Sequence, residues 1–410
     1  MKPLLPWRDA LHEVTTAVAP ADPVEAPVDP SAMGTVLAQD VRSHWDFPSA
    51  DVSVMDGFAA RTADLLDPRT RLRRVGESAA GHPMHLALAP GTAARISTGA
   101  VLPAGADVVI PQEDVEASDD EVIVDLEAFG DVTPGRWVRK RGCEVRNDDV
   151  VLPAGRRLSA ADLAVAASTG NTRVRVHARP RVAIVSTGDE LVPRGSVPPP
   201  GAVVSSNDLL LAAAVQQVGG VPVDFGIAPD EPEGLRATLE RALDCDIVVT
   251  TGGISVGDHD LVARTFAALG VHWAVHGILL RPGKPLAFGG ARRDGSMRHV
   301  FGLPGNPAST WVTFCLFVAP AIRRHLGVRG AVLPPTRRVE LRDAAAGAGR
   351  RAHLVRVVLH DDGTASTLAS QTSGDVRSMG GADALVEVPP GAGELPPGTI
   401  TDAFILNPWS

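Results

Sequence analysis

The chain has 410 residues, of which 44% are hydrophobic and 21% charged, so it is globular rather than disordered and long enough for roughly two to four domains. Its formal net charge of -9 and pI of 5.7 exclude a general electrostatic surface for nucleic acid or anionic lipid, so an anionic ligand needs a local basic cluster. The absence of tyrosine and an aromatic content of 4% also disfavour a base-stacking platform.

The cysteines and apolar stretches indicate a soluble protein of a reducing cytoplasm. Cys143, Cys245 and Cys315 are too far apart for a disulfide framework or a zinc ligand set. The N-terminus carries charged residues soon after a short apolar start, so it lacks a signal-peptide core. The nearest candidate for a membrane span, residues 310 to 322, is shorter than the roughly 20 residues that a spanning helix needs.

The first 60 residues predict a helix, a proline-rich stretch and a strand. Residues 4 to 19 have apolar side chains at helical spacing, and residues 35 to 45 alternate as a strand does. In the sequence MDGFA that follows, Asp56 stands beside a glycine. An Asp-Gly pair is usually only a turn former, but such a turn can aim a carboxylate into a cleft, so Asp56 is a conditional candidate for catalysis.

Residues 70 to 135 lose the helical period, and short strands recur between glycines and prolines. This spacing predicts a small β-barrel or half-barrel inserted into the chain. Thr98 follows one of these strands within the sequence STG, which either closes a hairpin corner or faces a ligand.

A basic run then stands out in an otherwise acidic chain. Arg139, Lys140 and Arg141 come directly before a glycine, and Glu144 follows. Such a run usually forms a solvated face, but the glycine also allows a phosphate contact.

The predicted secondary structure changes again towards the middle of the chain. Ser159 can cap a helix over residues 160 to 169 that a glycine ends. From residue 181 to residue 328, buried strands alternate with helices, which predicts a mostly parallel sheet with helices on both faces. Ligands of such sheets bind beyond the carboxyl ends of the strands.

Four loops are predicted at that edge, with the sequences TGDEL, TGGISVGDHD, RPGKP and LPGNPAS. Their glycine amides and the basic side chains of Arg281 and Lys284 can bind phosphate. Carboxylates can hold a divalent cation beside it, and the candidates are Glu190, Asp246, Asp258 and Asp260. The edge therefore predicts a magnesium-dependent site for a phosphate ester or nucleotide.

Other common sites are disfavoured. The chain lacks GxxxxGK[ST], and the glycines after the strand RVAIVS do not give GxGxxG. His259 and His272 are better explained as polar loop or sheet residues than as metal ligands, because no second His or Cys lies at ligand spacing.

The chain resembles the molybdopterin molybdenumtransferase family of molybdenum cofactor synthesis, which is related to the C-terminal domain of gephyrin. The resemblance rests on these motifs in this order: MDGFA, ISTGAVLPAGADVVIPQE, RKRGCE, STGDEL, SSND, TTGGISVGDHD, RPGKPLAFG and GLPGNPAS. It covers nearly the whole chain. It implies an elongated linking domain (residues 1–45 and 137–178), an inserted β-barrel-like domain (46–136), a central, mostly parallel α/β molybdopterin-binding domain (179–328) and a C-terminal β domain (329–410).

The resemblance also implies the reaction. Adenylylated molybdopterin and molybdate are the expected substrates, AMP is released, and molybdenum stays on the dithiolene. The implied cofactor is Mg²⁺, held by Glu190, Asp246 and Asp260. The implied catalytic residues are Glu190, Asp56, Glu144 and Asp246.

Substrate contacts and partners follow from the same resemblance. The residues expected to bind substrate are Thr98, Arg139, Lys140, Arg141, Thr187, Gly188, Asp189, Ser206, Asn207, Gly252, Gly253, Ser255, Gly257, Asp258, Arg281, Gly283, Lys284, Pro304, Gly305, Asn306 and Pro307. A homodimer is expected, in which the β domain of one subunit faces the α/β domain of the other. Molybdopterin adenylyltransferase and molybdoenzymes are further expected partners.

Two positions depart from the family pattern. Cys143 leaves Glu144 as the remaining acid of a usual acidic pair, and Arg281 replaces a lysine, which keeps the charge but alters the geometry. These departures leave open a divergent paralogue with another metal or partner. The sequence is also compatible with a binding scaffold without turnover and with an adenylyltransferase that consumes ATP. It does not distinguish molybdate from tungstate.

Overall fold

The computed structural model describes residues 3 to 229, 231 to 253 and 261 to 406. Its helices are α1 (Trp7–Ala17), α2 (Leu126–Phe129), α3 (Ala160–Ser168), α4 (Asn207–Val218), α5 (Pro232–Ala242), α6 (Leu261–Ala268), α7 (Pro307–Thr313), α8 (Ala319–His325) and α9 (Val376–Gly380). A π-helical turn, Phe314–Val318, joins α7 to α8. Within these ranges, no helix is long and apolar enough to cross a membrane.

The first half of the chain forms an inserted sheet and the strand pairs that hold it. Its strands are β1 (Pro23–Pro27), β2 (Val41–Arg42), β3 (Val52–Ser53), β4 (Gly57–Ala60), β5 (Arg69–Ser78), β6 (Thr92–Ile96), β7 (Val108–Pro111), β8 (Val115–Ala117), β9 (Glu121–Asp125), β10 (Val138–Arg139), β11 (Val150–Leu152) and β12 (Arg173–His177). The inserted sheet has the order β7-β4-β6-β5-β9-β8. Outside it, β1 pairs with β12, β2 with β11 and β3 with β10, so two distant segments together support the insertion.

Two local predictions in this half have different outcomes. Helix α3 begins as expected, because Ser159 and Asp162 form a reciprocal capping box. The strand predicted over residues 35 to 45 is reduced to β2 and to isolated bridges at Val36 and Leu37, since these residues pair with different segments of the chain.

The middle of the chain forms a doubly covered sheet. The strands in this part of the chain are β13 (Arg181–Ser186), β14 (Leu191–Val192), β15 (Val203–Val204), β16 (Val221–Ile227), β17 (Ile247–Thr251), β18 (His272–His276), β19 (Leu280–Arg281), β20 (Ala287–Arg293) and β21 (Ser296–Leu303), of which β14 and β15 pair with each other outside the sheet. The order is β16-β13-β17-β21-β20-β18, with β16, β13, β17 and β21 parallel and β20 antiparallel to β21. Leu211 of α4 and Trp311 of α7 pack on one face, and Leu239 of α5 and Phe266 of α6 pack on the other.

The last domain is a closed barrel. The strands of this domain are β22 (Thr336–Leu341), β23 (Ala345–Ala346), β24 (Ala352–Leu359), β25 (Thr364–Thr367), β26 (Ala384–Val388), β27 (Glu394–Leu395) and β28 (Ile400–Ile405), of which β23 and β27 pair with each other outside the barrel. The barrel closes because the order β24-β25-β22-β28-β26 is completed by pairing of β24 with β26. Strand β19, from the middle domain, adds to β24 in parallel. The predicted fold class is confirmed, while the domain boundaries remain predictions.

Candidate functional site at the carboxyl edge of the sheet

Strands β13, β17 and β21 end side by side, and hydrogen bonds join the turns that follow them. The Thr187 N–H donates to the carbonyl oxygen of Thr251 at 2.9 Å, and the Gly252 N–H donates to the carbonyl oxygen of Leu303 at 3.2 Å. Gly252 has a φ of +80°, and a Cβ on it would lie 2.2 Å from the carbonyl oxygen of Thr187. Because a side chain does not fit there, glycine is required for the turns to meet.

The start of α4 places buried polar atoms at this edge. Asn207 Nδ2 donates to the Gly305 carbonyl oxygen at 2.7 Å, whereas Asn207 Oδ1 is buried without a partner among the described residues. Ser205 is 3% exposed, and its Oγ is likewise buried without a hydrogen-bond partner among the described residues. Buried polar atoms that lack a partner are destabilising, so both are suited to meet a bound ligand. The predicted substrate contact in this motif is Ser206, which is exposed. The motif SSND alone does not show which of its two serines is buried.

Glu190 is an exposed carboxylate in the turn after β13. Its carbonyl oxygen accepts a hydrogen bond from the Val203 N–H at 2.7 Å, which ties the turn, with Gly188 and Asp189, to β15. Four predicted site residues lie outside the described residues: Ser255, Gly257, Asp258 and Asp260. In the ranges that are described, no group of three His, Cys, Asp or Glu side chains is arranged to hold a metal ion.

Asp246 lies at the opposite edge of the sheet, because it precedes β17 rather than following it. Its Oδ2 accepts a hydrogen bond from the Arg181 N–H, and its Oδ1 accepts one from Arg298 Nη1, both at 2.8 Å. The five residues of β17, at about 3.3 Å each, separate it from the glycine turn. The prediction of Asp246 as a catalytic residue and metal ligand is therefore wrong; it joins β13 to β21.

The RPGKP loop reaches the carboxyl edge by another route. Arg281 ends β19, which belongs to the barrel sheet, and Lys284 precedes β20. Since β20 is antiparallel to β21, it begins where β21 ends. Between the two basic residues, a Cβ on Gly283 would lie 2.6 Å from Thr313 Cγ2, so the loop packs closely against α7.

The barrel contributes a buried arginine that the sequence motifs did not indicate. Arg356 is 1% exposed, and its Nη2 donates to the carbonyl oxygens of Thr372 at 3.0 Å and Ser370 at 3.4 Å. Its Nε and Nη1 are buried without a hydrogen-bond partner in the part of the chain described. Arginines in strands normally face solvent, so the sequence RAHLVRVV carries no signal of this burial.

Strand geometry shows where this guanidinium points. Val355 and Val357 belong to the core of the barrel, whereas Leu354 packs in the core shared with the α/β domain. Because successive side chains of a strand alternate between its faces, Arg356 lies on the same side as Leu354, towards the α/β domain.

Positive charge is concentrated around Arg356. Burial lowers the pKa of its guanidinium, while Asp375 opposes this shift and Arg281 adds to it. Burial also lowers the pKa of His353, and Arg281, Arg356 and Arg351 add to that shift. Arginine keeps its proton despite such a shift, so Arg281, Arg351 and Arg356 form a cationic group. Within the described chain, the arginines of this group have no carboxylate within ion-pair distance.

The segment that accepts hydrogen bonds from Arg356, residues 370 to 373, also contacts the LPGNPAS loop. Asn306 Nδ2 donates to Ser373 Oγ at 2.9 Å, and the Ala308 N–H donates to the Ser373 carbonyl oxygen at 3.2 Å. The loop residues that follow β21 and lead into α7 are Pro304, Gly305, Asn306 and Pro307. These hydrogen bonds connect the segment that holds the Arg356 guanidinium to the loop after β21.

Two predicted residues of the inserted domain meet in a turn. The Thr98 N–H donates to Asp56 Oδ1 at 2.8 Å, and the Gln112 N–H donates to the Asp56 carbonyl oxygen at 3.0 Å. Asp56 therefore shapes the turn between β3 and β4, and Thr98 lies directly beside it.

Each basic side chain of the run before Cys143 makes an ion pair. Its ion pairs are Arg139 with Glu144 at 3.1 Å, Lys140 with Asp51 at 2.8 Å and Arg141 with Asp46 at 2.7 Å. The pairs of Lys140 and Arg141 link the two chain segments that lead into and out of the inserted domain, whereas the pair of Arg139 lies within the outgoing segment. In this structure, the run acts as a clasp between domains, and its predicted phosphate contact remains a prediction.

Three family descriptions match consecutive parts of the chain. Residues 5–170 match the MoeA N-terminal region (domain I and II), residues 183–324 match the probable molybdopterin-binding domain, and residues 338–406 match the MoeA C-terminal region (domain IV).

Full-length relatives and solved structures agree with these matches. A molybdopterin molybdenumtransferase of Nostoc sp. is 38% identical over 370 residues, covering 88% of this chain and 84% of the relative. Molybdopterin molybdenumtransferase 2 of Mycobacterium tuberculosis is 32% identical over 395 residues, covering 94% and 95%. A molybdopterin biosynthesis MoeA protein of Pyrococcus horikoshii superposes with a TM-score of 0.86 at 32% identity, covering 98% of this chain and 99% of that one. The chain therefore belongs to the molybdopterin molybdenumtransferase family of molybdenum cofactor biosynthesis.

Proposed function

We propose that the protein transfers molybdenum from molybdate to adenylylated molybdopterin and releases AMP. Relatives named molybdopterin molybdenumtransferase support the reaction class. The observation that carries the choice of an oxyanion substrate is the buried Arg356, whose Nε and Nη1 have no partner among the described residues. A fixed guanidinium with free N–H groups is suited to a tetrahedral dianion such as molybdate.

The glycine turns supply the second half of the site. Gly252 and Gly253 bring the backbone close to any ligand at the carboxyl edge, and Asn207 Oδ1 and Ser205 Oγ offer buried polar atoms there. We assign this side to the pterin phosphate. Lys284, which is exposed, neutralises the phosphate charge that develops as AMP leaves.

We also propose Mg²⁺ as the cofactor. Glu190 offers a hard oxygen donor at the carboxyl edge, which fits this ion. Asp260 is the second proposed ligand, and the removal of Asp246 from the set leaves these two. A bound Mg²⁺ would supply positive charge that stabilises the departing phosphate.

A homodimer is part of the proposal. Aromatic side chains are exposed where the inserted domain joins the rest of the chain: Trp45, Phe47 and Trp137. Exposed aromatic residues favour an interface, and a second copy would bring the turn of Asp56 and Thr98 to the carboxyl edge of its partner. Contacts with molybdopterin adenylyltransferase and with molybdoenzymes are proposed to follow from substrate delivery and product transfer.

The test is AMP release from adenylylated molybdopterin with Mg²⁺, in the presence and absence of molybdate, by the native protein and by Glu190→Gln. We expect release to require molybdate and to fall by about 100-fold or more in the variant, as when one electrostatic group is removed from an active site.

Matched controls separate this function from the competing ones. Glu394→Gln, which changes a carboxylate on strand β27 of the C-terminal domain, should leave AMP release unchanged. A native protein that binds the adenylylated substrate yet releases no AMP would indicate a scaffold. ATP consumption in place of AMP release would indicate an adenylyltransferase.

A further inference from the structure

Gln371 makes an unusual set of hydrogen bonds with the backbone of Arg356. Its Oε1 accepts from the Arg356 N–H at 3.0 Å, and its Nε2 donates to the Arg356 carbonyl oxygen at 2.9 Å. The same Nε2 donates to the Leu368 carbonyl oxygen at 3.1 Å. One carboxamide therefore pairs both backbone polar groups of the buried arginine.

The barrel explains why this pairing is needed. On one side of β24, Arg356 is the register partner of Leu385 in β26. On the other side, β25 pairs with β24 only from Val357, the partner of Thr367. Directly after β25, the Leu368 N–H still donates to the Arg356 carbonyl oxygen at 3.1 Å, so Gln371 pairs the Arg356 N–H and adds a second donor to its carbonyl oxygen.

The residues on either side of Gln371 hold the guanidinium itself. Arg356 Nη2 donates to the carbonyl oxygens of Ser370 and Thr372, and Ser373 then contacts Asn306 of the sheet. Four consecutive residues, 370 to 373, therefore connect the backbone of Arg356, its side chain and the LPGNPAS loop.

We infer that Gln371 is a positioning residue, which fixes the Arg356 guanidinium in the orientation that binds the oxyanion. This inference rests on the proposed function of Arg356 in molybdate binding. A carboxamide is required because both a donor and an acceptor are used. Glutamate accepts but does not donate and adds a charge beside Arg356, while methionine has a similar shape but makes neither hydrogen bond.

The test compares the full-length native protein with Gln371→Met and Gln371→Glu. We expect the KM for molybdate to rise about tenfold in Gln371→Met and further in Gln371→Glu, from the loss of a hydrogen bond that orients a charged group. The kcat at saturating molybdate and the KM for adenylylated molybdopterin should stay within about twofold of native. Hydrogen exchange at the Arg356 amide should also accelerate.

Thr364→Val is the matched control. It removes hydrogen bonds of a side chain in the same barrel, to Arg342 and Asp362, without touching Arg356. A merely structural role for Gln371 predicts that both substitutions lower the thermal unfolding temperature alike and leave the molybdate KM unchanged. That result would overturn the inference.

Calorimetric titration with molybdate and with tungstate separates this inference from the proposed function. If the native protein binds either ion and Gln371→Met binds it equally well, the assignment of Gln371 is wrong and the oxyanion pocket stands. If the native protein binds neither ion, the pocket and the role of Gln371 fall together. Weaker binding by Gln371→Met than by both native protein and Thr364→Val supports the inference even without turnover.

Discussion

Gly252 and Gly295 share a φ of +80° but differ in the space around them. A Cβ on Gly252 would lie 2.2 Å from the Thr187 carbonyl oxygen, whereas a Cβ on Gly295 would meet no atom within 4 Å. The backbone strain of an alanine should therefore be similar at both positions, and the steric conflict should arise at Gly252 alone.

We predict that Gly252→Ala lowers the free energy of unfolding by about 2 to 4 kcal/mol and abolishes AMP release, because the turns of β13 and β17 must separate. Gly295→Ala should lower it by about 1 to 2 kcal/mol and leave AMP release intact. Denaturant unfolding and the release assay measure both. Equal effects of the two substitutions would contradict this account of the site.

Asp246 joins β13 and β21, the two neighbours of β17, at the edge of the sheet that is remote from the glycine turns. We predict that Asp246→Ala lowers the free energy of unfolding by about 1 to 3 kcal/mol, since Arg298 and the Arg181 N–H lose their acceptor. The KM for molybdate and the Mg²⁺ dependence should stay as in the native protein.

The neighbouring Asp244 provides the control for this prediction. Its side chain is 61% exposed and lies 3.4 Å from Arg293, so Asp244→Ala should change stability by less than about 1 kcal/mol. Loss of Mg²⁺-dependent AMP release in a folded Asp246→Ala protein would return Asp246 to the metal site.

Elements could be predicted where one local pattern determined them. The strands β13, β17 and β21 are short, buried and followed by glycine or proline turns, so their positions and common edge followed from the sequence. Asp246 could not be placed in this way, because an acidic residue next to a strand looks alike at either end. Arg356 could not be found, since its burial depends on a loop from a different part of the barrel.

At the scale of the whole molecule, the clasp sets how the inserted domain is held. Asp51 Oδ1 and Asp46 Oδ1 accept from the backbone N–H groups of Arg141 and Asn147, in addition to the ion pairs with Lys140 and Arg141. Hydrogen bonds from backbone N–H groups fix position better than exposed ion pairs do.

We predict that Asp46→Ala combined with Asp51→Ala accelerates hydrogen exchange in residues 45 to 53 and 137 to 147 while leaving exchange in β5 and β9 unchanged, because the sheet itself is not touched. Glu116→Ala, which removes an exposed pair with Arg69 within the inserted domain, is the control and should change neither segment. Exchange rates measured by mass spectrometry that stay native in the double variant would show that β3 and β10 alone hold the domain.

Through strand β19, part of the candidate site depends on the C-terminal barrel, although β19 itself lies in the α/β segment of the chain. Its two residues, Leu280 and Arg281, come from the α/β segment but are paired with Ala352 and His353 of the barrel. A truncated protein that ends before the barrel would keep every residue of the RPGKP loop and lose the strand that anchors it. The α/β domain therefore depends on the barrel to hold the RPGKP loop in place. Recombining it with a foreign C-terminal domain requires that β24 be transferred as well as the linker.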